Sequence, residues 1–131
     1  MINSLDARVT ILESEVAEGS AETLDIPIVA AESIPAFSPV KINGLIANSA
    51  TPADNGRLAG IASTSIVSGF TGNVRKDGLL VTSLTLTPNL DVFVNGTSLS
   101  NTPPTSGWVQ KVGLAKSVNT ILIEIGPAIL L

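Results

Sequence analysis

The chain has 131 residues, 44% hydrophobic and 3% aromatic, which is enough for one compact core built mostly from small aliphatic side chains. It has neither Cys nor His, which excludes disulfides, thiolate nucleophiles, Cys-based zinc sites and the most common general base. The net charge of -4, with only seven Lys and Arg, argues against nucleic acid as a partner, and no apolar run reaches the ~20 residues of a membrane-spanning helix. We also expect no signal peptide, because no basic region followed by an apolar one opens the chain.

An apolar seam with helical spacing opens the chain. Its members alternate in steps of three and four, which is the a/d pattern of a coiled coil. They are Ile2, Leu5, Val9, Leu12 and Val16. In this register Arg8 falls at g and Glu13 at the following e, a pairing typical of parallel coiled coils. We therefore predict an N-terminal coiled-coil stalk over residues 1–19 that ends at Gly19. A helix this short is marginal alone, so the following domain must oligomerise too.

Two aspects of this seam remain open. One amphipathic helix packed on its own domain is the more common fate of such a stripe, whereas the strict two-in-seven spacing favours an intermolecular coiled coil. β-Branched residues at a with Leu at d favour a dimer. We predict a parallel homotrimer, following the resemblance described below, with a homodimer as the alternative.

Residues 20–33 are predicted to be a linker and first strand, and residues 34–131 a β-domain. After Leu24 the sequence consists of short β-rich runs broken by Gly, Pro, Asn and Asp, without a further helical period. Strands are expected at residues 25–30, 40–47, 57–63, 72–74, 79–86, 91–94, 108–116 and 120–125. Turns are expected at residues 54–56, 76–78 and 94–96, because Asn and Gly tolerate positive φ.

Short phrases of the β-domain recur in the same order at a nearly constant offset. The pairs are Pro35 and Pro88, residues 40–44 and 92–96, Thr51-Pro52 with Gly56 and Thr102-Pro103 with Gly107, and residues 59–62 and 112–115. This self-similarity predicts two copies of one β-motif, at about residues 34–81 and 87–131. Because each copy is too small for a core of its own, we expect a compact β-barrel or sandwich built from two pseudo-repeated halves.

Chemistry-bearing residues are sparse in the β-domain. Its only acids after residue 32 are Asp54, Asp77, Asp91 and Glu124, and the first two are expected in turns. With no aromatic platforms, no alternating calcium-binding acids and no base to activate a Ser or Thr, we expect no catalytic, metal or cofactor site. The protein is therefore predicted not to be an enzyme.

Two apolar features of the second half predict buried contacts. Trp108, the only Trp, opens a predicted strand, so we expect it in the core or at a subunit contact rather than stacked on a ligand. The chain ends on large apolar residues, which would otherwise be exposed at a terminus that frays. We expect Ile129 and Leu130 to be buried, either in the barrel or between subunits.

A small-Gly-aliphatic-Ala phrase stands at residues 59–62 and again at residues 112–115, with a Gly-rich stretch at residues 68–74 between them. This order of elements resembles the capsid decoration (cement) and head-fibre proteins of tailed bacteriophages. The resemblance covers roughly residues 34–125 and implies a non-enzymatic virion protein, commonly trimeric, on the capsid exterior with the major capsid protein as partner.

The predicted stalk departs from plain cement proteins and looks more like the stalk of a fibre. A tail-fibre or adaptor segment in host attachment is therefore the alternative function, and a bacterial adhesin module is a weaker third.

Overall fold

The computed structural model describes residues 23–131, so the predicted stalk, with Arg8 and Glu13, lies outside the described residues. The described residues are mainly β. The strands are β1 (Leu24–Val29), β2 (Pro39–Lys41), β3 (Leu58–Ala62), β4 (Thr71–Val81), β5 (Asp91–Asn95), β6 (Ser98–Ser100), β7 (Trp108–Ala115), β8 (Thr120–Glu124) and β9 (Ala128–Leu130). A 3₁₀ turn at Pro52–Asp54 lies between β2 and β3.

All strand pairs are antiparallel, and they form one sheet in the order β2-β3-β4-β8-β7-β5-β6, with β1 on β4 and β9 on β7. The sheet curls into a nearly closed barrel. Its two ends meet where Ser49, after β2, accepts a backbone hydrogen bond from Trp108 and donates one to the Gly96 carbonyl. The Gly96 N–H in turn donates to Ser49 Oγ over 2.7 Å.

Two apolar clusters stabilise this sheet. The larger one fills the barrel and consists of Ala47, Ile61, Leu80, Leu86, Val92, Val94, Leu99, Trp108, Val112, Ala115, Ile121 and Ile123. The smaller one lies under β1 and consists of Ala30, Ile34, Val40, Ala59, Ala62, Ile66 and Val74. Strand β3 contributes Ile61 to the larger cluster and Ala59 and Ala62 to the smaller one, because Ile61 and Ala62 point to opposite faces and the bulge at Ala59 interrupts the alternation. Its Ala59-Gly60-Ile61-Ala62 phrase is therefore buried throughout.

The β2–β3 and β5–β7 pairs share their local geometry. A bulge follows Val40 opposite Gly60 in one pair, and a bulge follows Val92 opposite Gly113 in the other. Val40 and Val92, like Gly60 and Gly113, are separated by the same nearly constant offset as the phrases that recur in the sequence. The backbone conformation just before β2 also matches that just before β5.

Phe37 and Asn89, the two non-glycine residues with positive φ among the described residues, stand at that interval too, just before β2 and β5. The Phe37 N–H donates to the Ala62 carbonyl, and the Asn89 N–H donates to the Ala115 carbonyl, both over 2.7 Å. The same strained backbone position is therefore held by the same hydrogen bond in both halves.

The prediction of a break at residues 76–78 is wrong, since β4 runs unbroken through Asp77. Asp77 and Gly78 remain in the strand because they pair with Glu124 and Ile123 of β8. Gly78 has a positive φ of 98°, which glycine tolerates because it has no Cβ. The strand expected at residues 40–47 is also too long, because Gly44 (φ 84°) ends β2 in a turn.

Candidate functional site

A continuous row of apolar side chains lies on the outside of the barrel. Leu79 of β4 is directly opposite Leu122 of β8, which is directly opposite Leu114 of β7. Directly opposed residues of antiparallel strands project to the same side of the sheet. The neighbours Leu80, Ile121 and Ile123 are buried in the barrel, so this row points outward.

Three further residues extend the row. Val81 follows Leu79 by two positions and is 67% exposed, whereas Leu79 is 45% exposed. At the other end of β7, Val109 is opposite Ile129 of β9, between the buried Trp108 and Gln110. We call this surface, formed by Leu79, Val81, Val109, Leu114, Leu122 and Ile129, the outer face.

Charged side chains lie beside and between members of the outer face, since Lys111 stands between Val109 and Leu114 along β7. On the β7 side, Lys111 Nζ lies 3.2 Å from Asp91 Oδ1, and both side chains are nearly half exposed. Asp77 of β4 is directly opposite Glu124 of β8. These two carboxylates line an open pocket of about 230 Å³ together with Leu24, Lys76 and Ile125.

The carboxylates of this pocket number two, Asp77 and Glu124. Within residues 23–131, no three Asp or Glu side chains come close enough together to hold a metal ion. The two opposed carboxylates carry like charges, which is unfavourable between directly opposed residues of a sheet. The pocket is therefore best described as the acidic margin of the outer face.

A second apolar surface lies at the far end of β4. Val29, Val67 and Phe70 are 60 to 66% exposed, and we call them the tip patch. They are held close together because the Phe70 N–H donates to the Val67 carbonyl and the Phe70 carbonyl accepts from Ala30. Phe70 and Leu79 are separated by most of the length of an extended strand, so the tip patch lies roughly 30 Å from the outer face.

Asp54, expected in a turn, closes the 3₁₀ turn and serves an internal role. Its Oδ1 lies 2.8 Å from Lys41 Nζ, and its Oδ2 accepts a hydrogen bond from the Asn48 N–H over 3.0 Å. The Trp108 indole N–H donates to the carbonyls of Asn48 and Thr51. The expectation that Trp108 belongs to the core is confirmed, and these groups fix the loop after β2 against β7.

The two C-terminal interface candidates have different surroundings from those expected. Ile129 and Leu130 are both 57% exposed, so their burial inside the barrel is wrong. The reason is that β9 pairs only with the first residues of β7, where Ile129 joins Val109 on the outer face. Their burial between subunits stays a prediction.

Five residues of the outer face were not identified by the sequence analysis: Leu79, Val81, Val109, Leu114 and Leu122. A usable signal was present, because Leu79-Leu80-Val81 and Ile121-Leu122-Ile123 are uninterrupted apolar runs rather than alternating ones. Such runs indicate strands that are apolar on both faces.

No protein-family model matches the chain, and neither does a curated protein sequence. In the part of the chain that the structure describes, no helix has the length and apolar character needed to cross a membrane.

Proposed function

We propose that this protein is a non-enzymatic virion protein that decorates the exterior of a tailed-phage capsid as a homotrimer and stabilises the shell. The observation that carries this proposal is the presence of two separate exposed apolar surfaces, the outer face and the tip patch, on one barrel. Contiguous apolar surface of this kind marks interaction sites on soluble proteins. A decoration protein needs one such surface for its own copies and another for the shell.

The Gly-containing phrases at residues 59–62 and 112–115 add support, because they carry the resemblance to decoration proteins. In the structure each phrase forms part of a buried, bulged strand pair. We infer that residues 34–81 and 87–131 are two copies of one motif, which explains why bulge, positive φ and hydrogen bond recur at one interval. A duplicated barrel supplies a stiff platform for surface contacts.

The stabilising action follows from mass action. A protein that binds only the assembled shell lowers the free energy of that shell and leaves the dissociated subunits unchanged. Many copies, each with a modest affinity, then raise the temperature at which the capsid opens. The chemistry required is adhesion alone, and the apolar side chains of the tip patch suit it.

A tail-fibre or adaptor segment remains the second candidate function. The apolar heptad seam predicted within residues 1–19 favours it, because a stalk is typical of fibres. The two functions differ in the structure that the protein binds, and this difference can be measured directly.

The test uses capsids that lack this protein, incubated with the purified full chain and then heated and imaged. We expect saturable binding to heads and a higher disruption temperature. The variant Val67→Lys with Phe70→Lys should fold and oligomerise normally but bind heads at least tenfold more weakly. Absence of head binding at saturating concentration, or binding only to tails, would reject decoration in favour of the fibre alternative.

A further inference from the structure

We infer that the outer face is the surface through which the β-domain contacts a second copy of this chain. This inference rests on the homo-oligomer of the proposed function and specifies its contact, although its test needs no capsid. Three arguments support a second copy over other occupants: the distribution of charge, the pattern at the margins, and the place where the chain enters the domain.

Net charge separates the two parts of the chain. Residues 1–22 contain one Arg and five acidic residues, which amounts to the entire net charge of -4. Residues 23–131 contain six basic and six acidic residues and are neutral. A neutral domain approaches a second copy of itself without net repulsion, and a net charge near zero promotes association.

The same count disfavours the chain's own N-terminal segment as the occupant of the outer face. That segment carries the seam from Ile2 to Val16 and could in principle fold back as a single amphipathic helix. It would then place a net charge of -4 beside three acids, Asp77, Asp91 and Glu124. Within residues 23–131 Asp91 is the one of these three that has a basic partner, Lys111. Like charges at close range oppose this docking.

The margins of the outer face are complementary to one another. Lys111 lies in β7 and Asp77 lies in β4, while Glu124, which pairs with Asp77, lies in β8 between these two strands. Among residues 23–131 neither of these two carboxylates has a Lys or Arg within 4.0 Å. In a cyclic, head-to-tail arrangement the β4 side of one copy meets the β7 side of the next, and Lys111 of one copy then faces the acidic pair of its neighbour.

The entry point of the chain fits this arrangement. Leu24, the first residue of β1, pairs with Asp77, two positions from Leu79. Residue 23, at which the described part of the chain begins, therefore lies beside the outer face in every copy. Copies that turn this face towards a common axis bring their N-terminal segments together in the same direction, as a parallel coiled coil requires.

The decisive experiment compares two double variants of the full chain by sedimentation velocity across the micromolar range. Leu79→Lys with Val81→Lys adds two positive charges to the outer face, and Val67→Lys with Phe70→Lys adds the same charge to the tip patch. All four positions are substantially exposed, so both variants should keep the wild-type circular dichroism spectrum. We expect the first to raise the dissociation constant of the oligomer at least tenfold and the second to leave it unchanged.

Three outcomes would overturn the inference: a monomeric wild type at micromolar concentration, an unchanged oligomer in the outer-face variant, or equal dissociation of both variants. If the outer-face variant dissociates but wild-type oligomer fails to bind capsids, the contact between copies stands and decoration fails.

A charge-reversal pair tests the proposed contact between margins. Lys111→Glu and Asp77→Lys should each raise the dissociation constant several-fold at low salt, and the double variant should restore it towards wild type. Failure of the double variant to recover would overturn the head-to-tail arrangement.

Discussion

The β2–β3 pair of the first half and the β5–β7 pair of the second are most alike where the backbones of neighbouring strands approach each other closely. They differ most at their turns, because other segments cover different turns in the two halves. Gly60 and Gly113 occupy equivalent positions, and a Cβ on either would lie within 2.7 Å of a neighbouring carbonyl oxygen, that of Arg75 or Leu122. This close approach of backbones belongs to the shared strand geometry.

The turn glycines behave differently in the two halves. A Cβ on Gly44 would lie 2.1 Å from the Val29 carbonyl oxygen, while its counterpart Gly96 faces open space. At the next turn the order is reversed, because Gly56 faces open space and a Cβ on Gly107 would lie 1.9 Å from the Ser49 carbonyl oxygen. All four turn glycines have positive φ, and the segment that covers each turn decides how much room remains for a side chain.

Substituting alanine for Gly107 and for Gly56 should separate the free-energy cost of the backbone conformation from the cost of steric overlap. Both glycines have positive φ, so each substitution costs about 1–2 kcal/mol for the backbone alone. Gly107→Ala also forces the loop at Ser49 away, which brings its total cost to about 4 kcal/mol. Urea denaturation of both variants measures the difference, and equal costs would contradict the contact with Ser49.

Trp108 joins the two halves and has no equivalent in the first. Trp108→Phe removes the indole N–H and leaves the buried carbonyls of Asn48 and Thr51 without this donor. We expect a loss of about 3 kcal/mol in the free energy of unfolding. Phe70→Leu, at an exposed aromatic, is the control and should change stability by less than about 0.5 kcal/mol. A loss as small as that of the control would show that the two hydrogen bonds contribute little.

Each half also holds one Lys–Asp ion pair, and the two should differ in strength. The side chains of Lys41 and Asp54 are only 14% and 9% exposed, whereas those of Lys111 and Asp91 are 44% and 47% exposed. Removing one partner of a buried pair leaves the other charge uncompensated, so Lys41→Met should cost about 2–3 kcal/mol. Asp91→Asn should cost about 0–1 kcal/mol, because water screens an exposed pair.

Thermal unfolding of the two single variants measures this contrast. Added salt should reduce the effect of Asp91→Asn further and leave that of Lys41→Met nearly unchanged. Similar losses of stability in both variants would mean that burial does not determine how much each ion pair contributes to stability.

Local sequence signals predicted much of the strand framework and little of its surface. The predicted strands at residues 57–63, 91–94, 108–116 and 120–125 overlap β3, β5, β7 and β8, because alternation and turn residues act over a few neighbours. The continuity of β4 could not be predicted in this way, since it depends on the ladder with β8, a strand far away along the chain. The short strands β6 and β9 were not predicted.

The outer face escaped prediction for a related reason. Leu79 and Leu122 become one surface only when β4 and β8 pair, and nothing local to either strand fixes that register. Ile129 was singled out from the sequence, but as a buried residue, whereas it is 57% exposed. Its position on the outer face became evident only from its pairing with Val109.

The position of Trp108 also makes its side chain an intrinsic fluorescence probe of one junction in the fold. The chain has no Tyr and one Trp, so near-ultraviolet excitation at long wavelength is absorbed at a single place, where β7 meets the loop after β2. A fully buried indole that donates to backbone carbonyls should emit at short wavelength, and opening of this junction alone should shift the emission to the red. If the two halves separate before their strands melt, fluorescence will change before far-ultraviolet circular dichroism does, and the departure from two-state unfolding will be visible without any label.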